Sequence, residues 1–160
     1  VEKLIEHKQK TGGVANFAGS KKLEEDILEL DTSILILAAL ENAITIDNAN
    51  EIKAELIIEL ANGPITPDAD EVLAANNIVI VPDILANAGG VVVSYFEQVQ
   101  DAYNYYWQED KVLTELEKIM RESFKNVWES QVKNKSDLRI GAYALAVERV
   151  SNAMKDRGWI

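Results

Sequence analysis

The stretch Ile78-Val79-Ile80-Val81-Pro82-Asp83-Ile84-Leu85-Ala86-Asn87-Ala88-Gly89-Gly90 decides the fold. Its first four residues form a continuous apolar run bounded by polar turns. Such a run reads as a strand buried on both faces, the kind found in parallel sheets sandwiched by helices. Beyond Pro82 no further strand pattern occurs and helical periodicity takes over. Toward the N-terminus, Ile34 to Leu37 and Leu56-Ile57-Ile58 are two more runs of the same kind. A short helical stretch near Asn48 to Ile52 separates the first two runs, and a clearer helix opening at Thr66 separates the second from the third. Thr66 stands where a cap is needed, Pro67 takes the first helical position, and Asp68 and Asp70 complement the helix dipole. Ala69, Val72 and Leu73 share one face of that helix, directed toward a sheet. Strand alternates with helix, so the expected class is α/β, with about three parallel strands joined by right-handed crossovers.

The flanks extend this unit. At the N-terminus Leu4 and Ile5 sit among charged neighbours up to Lys10, and Thr11-Gly12-Gly13 stops what reads as the end of an amphipathic helix. Leu23, Ile27 and Leu28 recur at helical spacing after Ser20, which fits a short helix before Asp31. Three long helical patterns fill the second half. One runs from about Gly90 to Asn104, and the next carries Leu113, Leu116, Ile119, Met120, Phe124, Val127 and Trp128 on one stripe. The last begins after Ser136, repeats Ile140, Tyr143, Ala144, Val147, Val150 and Met154 at helical spacing, and ends at Gly158. No repeat, low-complexity tract or linker divides the chain, which reads as one unit: an α/β region over 1–88 and helices over 89–160.

With 160 residues, 48% of them hydrophobic, the chain is long enough for one domain with a core. Its 27 acids against 16 bases give a net charge of −11, a repulsive field toward phosphate backbones and anionic membrane surfaces. Nucleic acid and membrane are therefore not expected partners. No apolar run of roughly 18 residues or leader pattern is present. The absence of cysteine rules out disulfides and thiolate metal sites and fits a reducing compartment, so the expected location is the cytoplasm. Val1 opens directly into a helical pattern, which suggests a cut inside a longer protein.

Open α/β sheets bind ligands at the carboxyl ends of their strands, so the loops after the three runs are the places to look. After the first run, Ala38-Ala39-Leu40 offers small side chains that let a flat ligand approach the backbone, or simply permit tight packing. After the second, Asn62 carries an amide with donor and acceptor beside the turn Gly63-Pro64. It could grip a carboxamide, or serve the turn alone. After the third, the glycines let the backbone come close to a ligand or a neighbouring helix, and the following helix would present free N–H groups to an anion. Ser94 lies two helical turns beyond Asn87, so both side chains could share a face. His7, the lone histidine, reads as a solvated helix position and Glu24-Glu25-Asp26 as a solvated face. Trp107, Trp128 and Trp159, with Tyr103, Tyr105 and Tyr106, lack a basic patch and read as packing. No Ser-His-Asp or Gly-x-Ser-x-Gly pattern supports a hydrolase.

Taken together, Ala61-Asn62-Gly63-Pro64, Pro82 to Val91, Val93-Ser94-Tyr95-Phe96-Glu97 and Asp156-Arg157-Gly158-Trp159 resemble the glutamate dehydrogenase family nearly from end to end of the chain. The resemblance implies the second half of a Rossmann-like nucleotide-binding domain plus C-terminal helices. It also implies a homohexameric parent that oxidatively deaminates L-glutamate to 2-oxoglutarate and ammonia with NAD or NADP. Ala38 and Asn62 match cofactor contacts, Asn87 a position between cofactor and substrate, and Ser94 one that holds the substrate's side-chain carboxylate. Leu37 stands where the family usually has proline, and Gln98 where it usually has tryptophan. Leu37 would slightly reshape the cofactor loop, and Gln98 removes an aromatic packing surface. No Gly-x-Gly-x-x-Gly is present, and that loop is what brings a pyrophosphate to a helix N-terminus. In the family it lies upstream, with the catalytic lysine and aspartate. The chain by itself is thus expected to be inactive, to bind cofactor weakly or not at all, and to be a monomer or weak dimer. Two other readings compete: a non-catalytic, engineered folding module derived from that domain, and a leucine- or phenylalanine-type dehydrogenase. Ser94 argues against the latter, since a serine there would face an acidic side chain.

Overall fold

The computed structural model describes residues 1–21 and 26–160. Strands β1 (Ile34–Leu37), β2 (Leu56–Glu59) and β3 (Val79–Val81) form one sheet in the order β1-β2-β3. Both pairings are parallel, with Leu35 beside Ile57 and Ile57 beside Ile80. A short 3-10 turn, Ala49–Glu51, lies on the first crossover, and α2 (Pro67–Ala75) forms the second. Both pack on the same face of the sheet, where Ala49, Ile52, Ala69 and Leu73 join Leu35, Leu37 and Ile57 in one buried cluster. Crossovers of one hand running in one direction along a sheet place their elements on one side, which accounts for this.

The strands are not buried on both faces as the apolar runs suggested. Leu35 and Leu37 are 9% and 3% exposed, but their neighbours Ile34 and Ile36 are 51% and 54% exposed. Side chains alternate along a strand, so a sheet covered on one face leaves every second residue open even when all are apolar. Thr66 differs too. It occupies the N-cap position of α2, yet no side-chain hydrogen bond caps the helix there. Its hydroxyl donates instead to the Asp68 carboxylate, and that bond holds the Asp68 carboxyl below the usual range.

The helical half comprises α3 (Asp83–Ala86), α4 (Ala88–Tyr103), α5 (Glu109–Asn134) and α6 (Leu138–Asp156), after α1 (Glu2–Thr11) at the N-terminus. Asp137 caps α6, its carboxylate accepting from Ile140 N at 2.7 Å. The close approach of α6 to α5 rests on Gly141, where a Cβ would stand 2.7 Å from Gln131 Cβ. The face of α6 that packs is Leu138, Ala142 and Leu145, against Leu85 and Val127. Ile140, Tyr143, Val147 and Val150 recur at helical spacing but are all exposed. The helix has two apolar faces, and the periodicity marked the one that this chain leaves uncovered.

The helix expected around Leu23, and the solvated face at Glu24-Glu25, lie outside the described residues. Just after them, Ile27–Glu29 form a 3-10 turn capped by Asp26. His7 is more engaged than a solvated helix position would be: its Nε2 lies 2.9 Å from Ala15 O and its ring meets Phe17 edge-on at 5.5 Å. Of the aromatics read as packing, Trp107 packs on Phe96 at 5.3 Å, while Tyr103, Tyr105, Tyr106 and Trp159 are exposed. The three tyrosines sit where α4 gives way to α5, and Trp159 follows the end of α6. No described helix is long and apolar enough to cross a membrane.

Candidate functional site

Parallel strands deliver their following loops to one end of the sheet, and here the three loops are tied to one another. Leu37 O accepts from both Leu60 N and Ala61 N at 2.8 Å, which draws the second loop against Ala38 at the end of β1. Further on, Asn42 N donates to Gly63 O and Ile44 N to Pro64 O, each at 2.9 Å. Gly63 is the junction. Its φ of 53° is a left-handed turn that glycine adopts without cost, and its N–H donates to Asp83 Oδ2 at 2.9 Å. Asp83 opens α3, the first element after β3, so a single residue of the second loop grips both of the others.

Asn62 and Asn87, 25 residues apart, meet directly: Asn87 Nδ2 donates to Asn62 Oδ1 at 2.7 Å. An amide carries two acceptor lone pairs on oxygen and two donors on nitrogen. Their bond uses the oxygen of Asn62 and the nitrogen of Asn87. The Nδ2 of Asn62 and the Oδ1 of Asn87 have no partner among the described residues, which leaves one donor and one acceptor free on the two joined amides. That is the complement of a primary carboxamide, which offers one acceptor and one donor of its own.

Ala38 and its neighbours Ala39 and Leu40 are exposed, so the first loop offers small side chains rather than tight packing. Asn87 immediately precedes α4, and Ser94 follows it by seven residues, two helical turns on the same side. No described residue bonds the Ser94 hydroxyl. A Cβ built at Gly90 would meet nothing within 4 Å, so packing within this chain does not require glycine there. The expected array of free N–H groups is reduced, because α3 leads almost directly into α4 and Gly90 N donates to Asn87 O at 3.3 Å.

Behind the asparagine pair lies a charged cluster that reading along the sequence missed. Glu59, the last residue of β2, is fully buried. Its Oε1 accepts from Arg139 Nη2 at 2.8 Å, and its Oε2 accepts from Arg139 Nη1 at 2.9 Å and from Asp83 N at 2.8 Å. Arg139 Nε donates in turn to Asp70 Oδ2 at 3.0 Å. Burial opposes the charge on Arg139, but the hydrogen bonds that it donates to Glu59 and Asp70 more than offset it, so the guanidinium is held above its ordinary value and stays charged. No buried side-chain nitrogen or oxygen among the described residues lacks a partner. An acid ending an apolar run and an arginine flanked by Leu138 and Ile140 were the signals available; neither reveals that the two meet.

A nicotinamide cofactor can be tested against these groups. The Asn62–Asn87 pair fits its carboxamide, and Ala38 and Gly90 leave room for a flat ring. Among the described residues none supplies a glycine-rich phosphate loop.

Comparison with known proteins identifies the family. The chain is 50% identical over 159 residues to a glutamate dehydrogenase from Thermotoga maritima, covering 99% of this chain and 38% of that one. It is 45% identical over 157 residues to an NAD-specific glutamate dehydrogenase from Clostridioides difficile, covering 98% of this chain and 37% of that one. The solved hetero-hexameric glutamate dehydrogenase of Thermus thermophilus, in a leucine-bound form, superposes with a TM-score of 0.87 at 30% identity, over 98% of this chain and 37% of that one. The chain thus spans between a third and two fifths of the length of the relatives it matches. The model of the glutamate/leucine/phenylalanine/valine dehydrogenases matches residues 1–158, so with its parallel sheet and paired strand-end loops the chain belongs to that dehydrogenase family.

Proposed function

We propose that this chain is the cofactor-side, C-terminal portion of a glutamate dehydrogenase that converts L-glutamate to 2-oxoglutarate and ammonia, with NAD as the favoured cofactor and NADP as the alternative. The observation that carries the reading is the Asn62–Asn87 bond, which leaves one amide donor and one acceptor together at the carboxyl ends of the strands. In this reading residues 1–88 furnish the cofactor-binding α/β region and residues 89–160 the trailing helices. Asn62 and Asn87 hold the carboxamide, Ala38 gives the ring access to the backbone, and Ser94 donates to the side-chain carboxylate of the substrate. Asn87 stands between the two ligands. When bound, the nicotinamide supplies the hydride acceptor.

The residues of this chain orient reactants and move no proton. Their contribution is geometric: holding two reactants in contact distance lowers the barrier without any charged side chain at the reacting carbon. The relatives' description as NAD-specific supports NAD, and the hexameric state of the Thermus relative supports a hexameric parent, here taken as a homohexamer in the cytoplasm. By itself the chain is a monomer or weak dimer. The exposed Ser94 hydroxyl favours glutamate over the apolar substrates also named for the family.

The test is glutamate-dependent reduction of NAD. The longer protein carrying this chain is expected to turn over, with Asn87→Ala lowering kcat/KM by at least about tenfold through loss of a positioning hydrogen bond. The 160-residue chain is expected to show no turnover with either cofactor. Glutamate turnover by the isolated chain, abolished by Asn87→Ala, would mean the proton-transfer groups had been misplaced.

A further inference from the structure

We propose that Arg139 is a positioning residue for the nicotinamide amides, acting through Glu59 and Asp83 on the Asn62–Asn87 pair. The inference rests on the function proposed above and extends it to a helix not expected to touch either ligand.

The chain of contacts is short and continuous. Arg139, in the first turn of α6, reaches across 80 residues of sequence to both oxygens of Glu59. Glu59 Oε2 also accepts from Asp83 N, which fixes where α3 begins. Asp83 then acts on the two asparagines by separate routes. Its Oδ2 accepts from Gly63 N at 2.9 Å, holding the residue that follows Asn62. Its carbonyl accepts from Asn87 N at 3.0 Å, holding the backbone from which the second amide projects. Asn87 is therefore one bond from Asp83, Asn62 is held through its neighbour Gly63, and Asp83 is one bond from Glu59 of the Glu59–Arg139 pair.

Stability alone does not explain a fully buried carboxylate at this position. Removing two charges from water is costly, and an apolar pair of similar volume often stabilises a fold as well. What a charged pair supplies that an apolar one cannot is direction. The guanidinium fork fits both carboxylate oxygens at once, which fixes the rotation of Glu59 and with it the lone pair aimed at Asp83 N. A lysine would keep the charge but not the fork. The pair would then hold together while losing control of the carboxylate's rotation.

Two nucleotide probes separate positioning from simple docking of α6. NAD carries the nicotinamide; ADP-ribose shares the rest of the molecule and lacks that ring. In the longer protein carrying this chain, the dissociation constants of both are measured by calorimetry for the parent sequence, Arg139→Lys, Asp83→Asn and Asn62→Ala. The parent is expected to bind NAD more tightly than ADP-ribose, and Asn62→Ala to lower that preference. Arg139→Lys is expected to weaken NAD about tenfold, the scale of one charge-assisted hydrogen bond, and to change ADP-ribose less than about twofold. Asp83→Asn, with one good acceptor where both Gly63 N and Ile84 N donate to the carboxylate, is expected to do the same. It keeps the proposal open to refutation should Arg139→Lys fail to fold. If Asn62→Ala lowers the preference while Arg139→Lys and Asp83→Asn keep it, or weaken both ligands equally, the positioning role is overturned and the nicotinamide site stands. If the parent shows no preference for NAD, the carboxamide reading falls and this inference falls with it.

Discussion

At the carboxyl ends of the strands, Glu59, Asp70, Asp83 and Arg139 satisfy one another with five hydrogen bonds among side chains and backbone. Across the same sheet, Ile34, Ile36 and Val79 stand about half exposed, and α6 shows Ile140, Tyr143, Val147 and Val150 in the same condition. The two regions differ in what this length of chain completes. Directional interactions close over few residues, because a guanidinium and three carboxylates can saturate one another. Hydrophobic cover needs a second layer of area; the near face has one, whereas on the far face Val81 packs on the helical cluster while Ile34, Ile36 and Val79 stay open. The charged cluster is thus closed within the described residues, although the far face of the sheet that carries it is covered only in part.

The sharpest way to break this contrast is to remove the cation from the cluster. Arg139→Ala would leave the carboxylate of Glu59 buried without its counter-charge, and removing one partner of a buried pair costs about 3–5 kcal/mol. Urea denaturation of the chain should show a drop of that order. A loss under about 1 kcal/mol would mean that water or another group replaces the guanidinium, and that the cluster is less closed than its hydrogen bonds indicate.

Much of this contrast could be read from the sequence, and some could not, for reasons that differ by residue. The three strands were legible because continuous apolar runs are local patterns, and their parallel order followed from the elements between them. Asn62 and Asn87 were legible as neighbours because parallel strands deliver their loops to one end. Glu59 and Arg139 were not, since pairing charges 80 residues apart requires the docking angle of α6, which no periodicity encodes. The open face was missed for a different reason. Ile34 and Ile36 have the composition of buried residues, and composition records what a residue suits rather than what lies over it. The stripe along α6 misled in the same way, since Leu138, Gly141, Ala142 and Leu145 form the face that packs.

Gly141 provides the second test, of smaller size. A Cβ at this position would stand 2.7 Å from Gln131 Cβ and 2.9 Å from Gln131 N, a contact with backbone that no rotamer change relieves. Alanine is a better helix former than glycine by roughly 1 kcal/mol, so an exposed site would gain stability from the change. Here overpacking should win, and Gly141→Ala is expected to destabilise the chain by about 1–3 kcal/mol in thermal or urea melts. A gain in stability would show that α5 and α6 slide apart easily, and that the docking of α6, on which Arg139 depends, is looser than the contact implies.

The smallest effect belongs to the open face, and it can be read against a matched residue on the closed one. Ile36 and Ile57 sit on neighbouring strands of the same sheet and have the same side chain. Ile57 is fully buried in the core cluster, whereas Ile36 is 54% exposed. Threonine keeps the β-branch that suits a strand, so Ile→Thr isolates burial from backbone preference. At position 57 the change removes apolar contact and buries a hydroxyl, and about 2–4 kcal/mol is expected from those two costs together. At position 36 the hydroxyl meets water and little packing is lost, so Ile36→Thr is expected to stay within about 0.5 kcal/mol of the parent chain. Repeating the pair of measurements in the longer protein turns the contrast into a test of cover. If a further layer lies on the far face there, the cost at position 36 should rise toward that at position 57. If it stays small in both, the far face is solvated in the whole molecule as well, and the sheet is one-sided by design rather than by length.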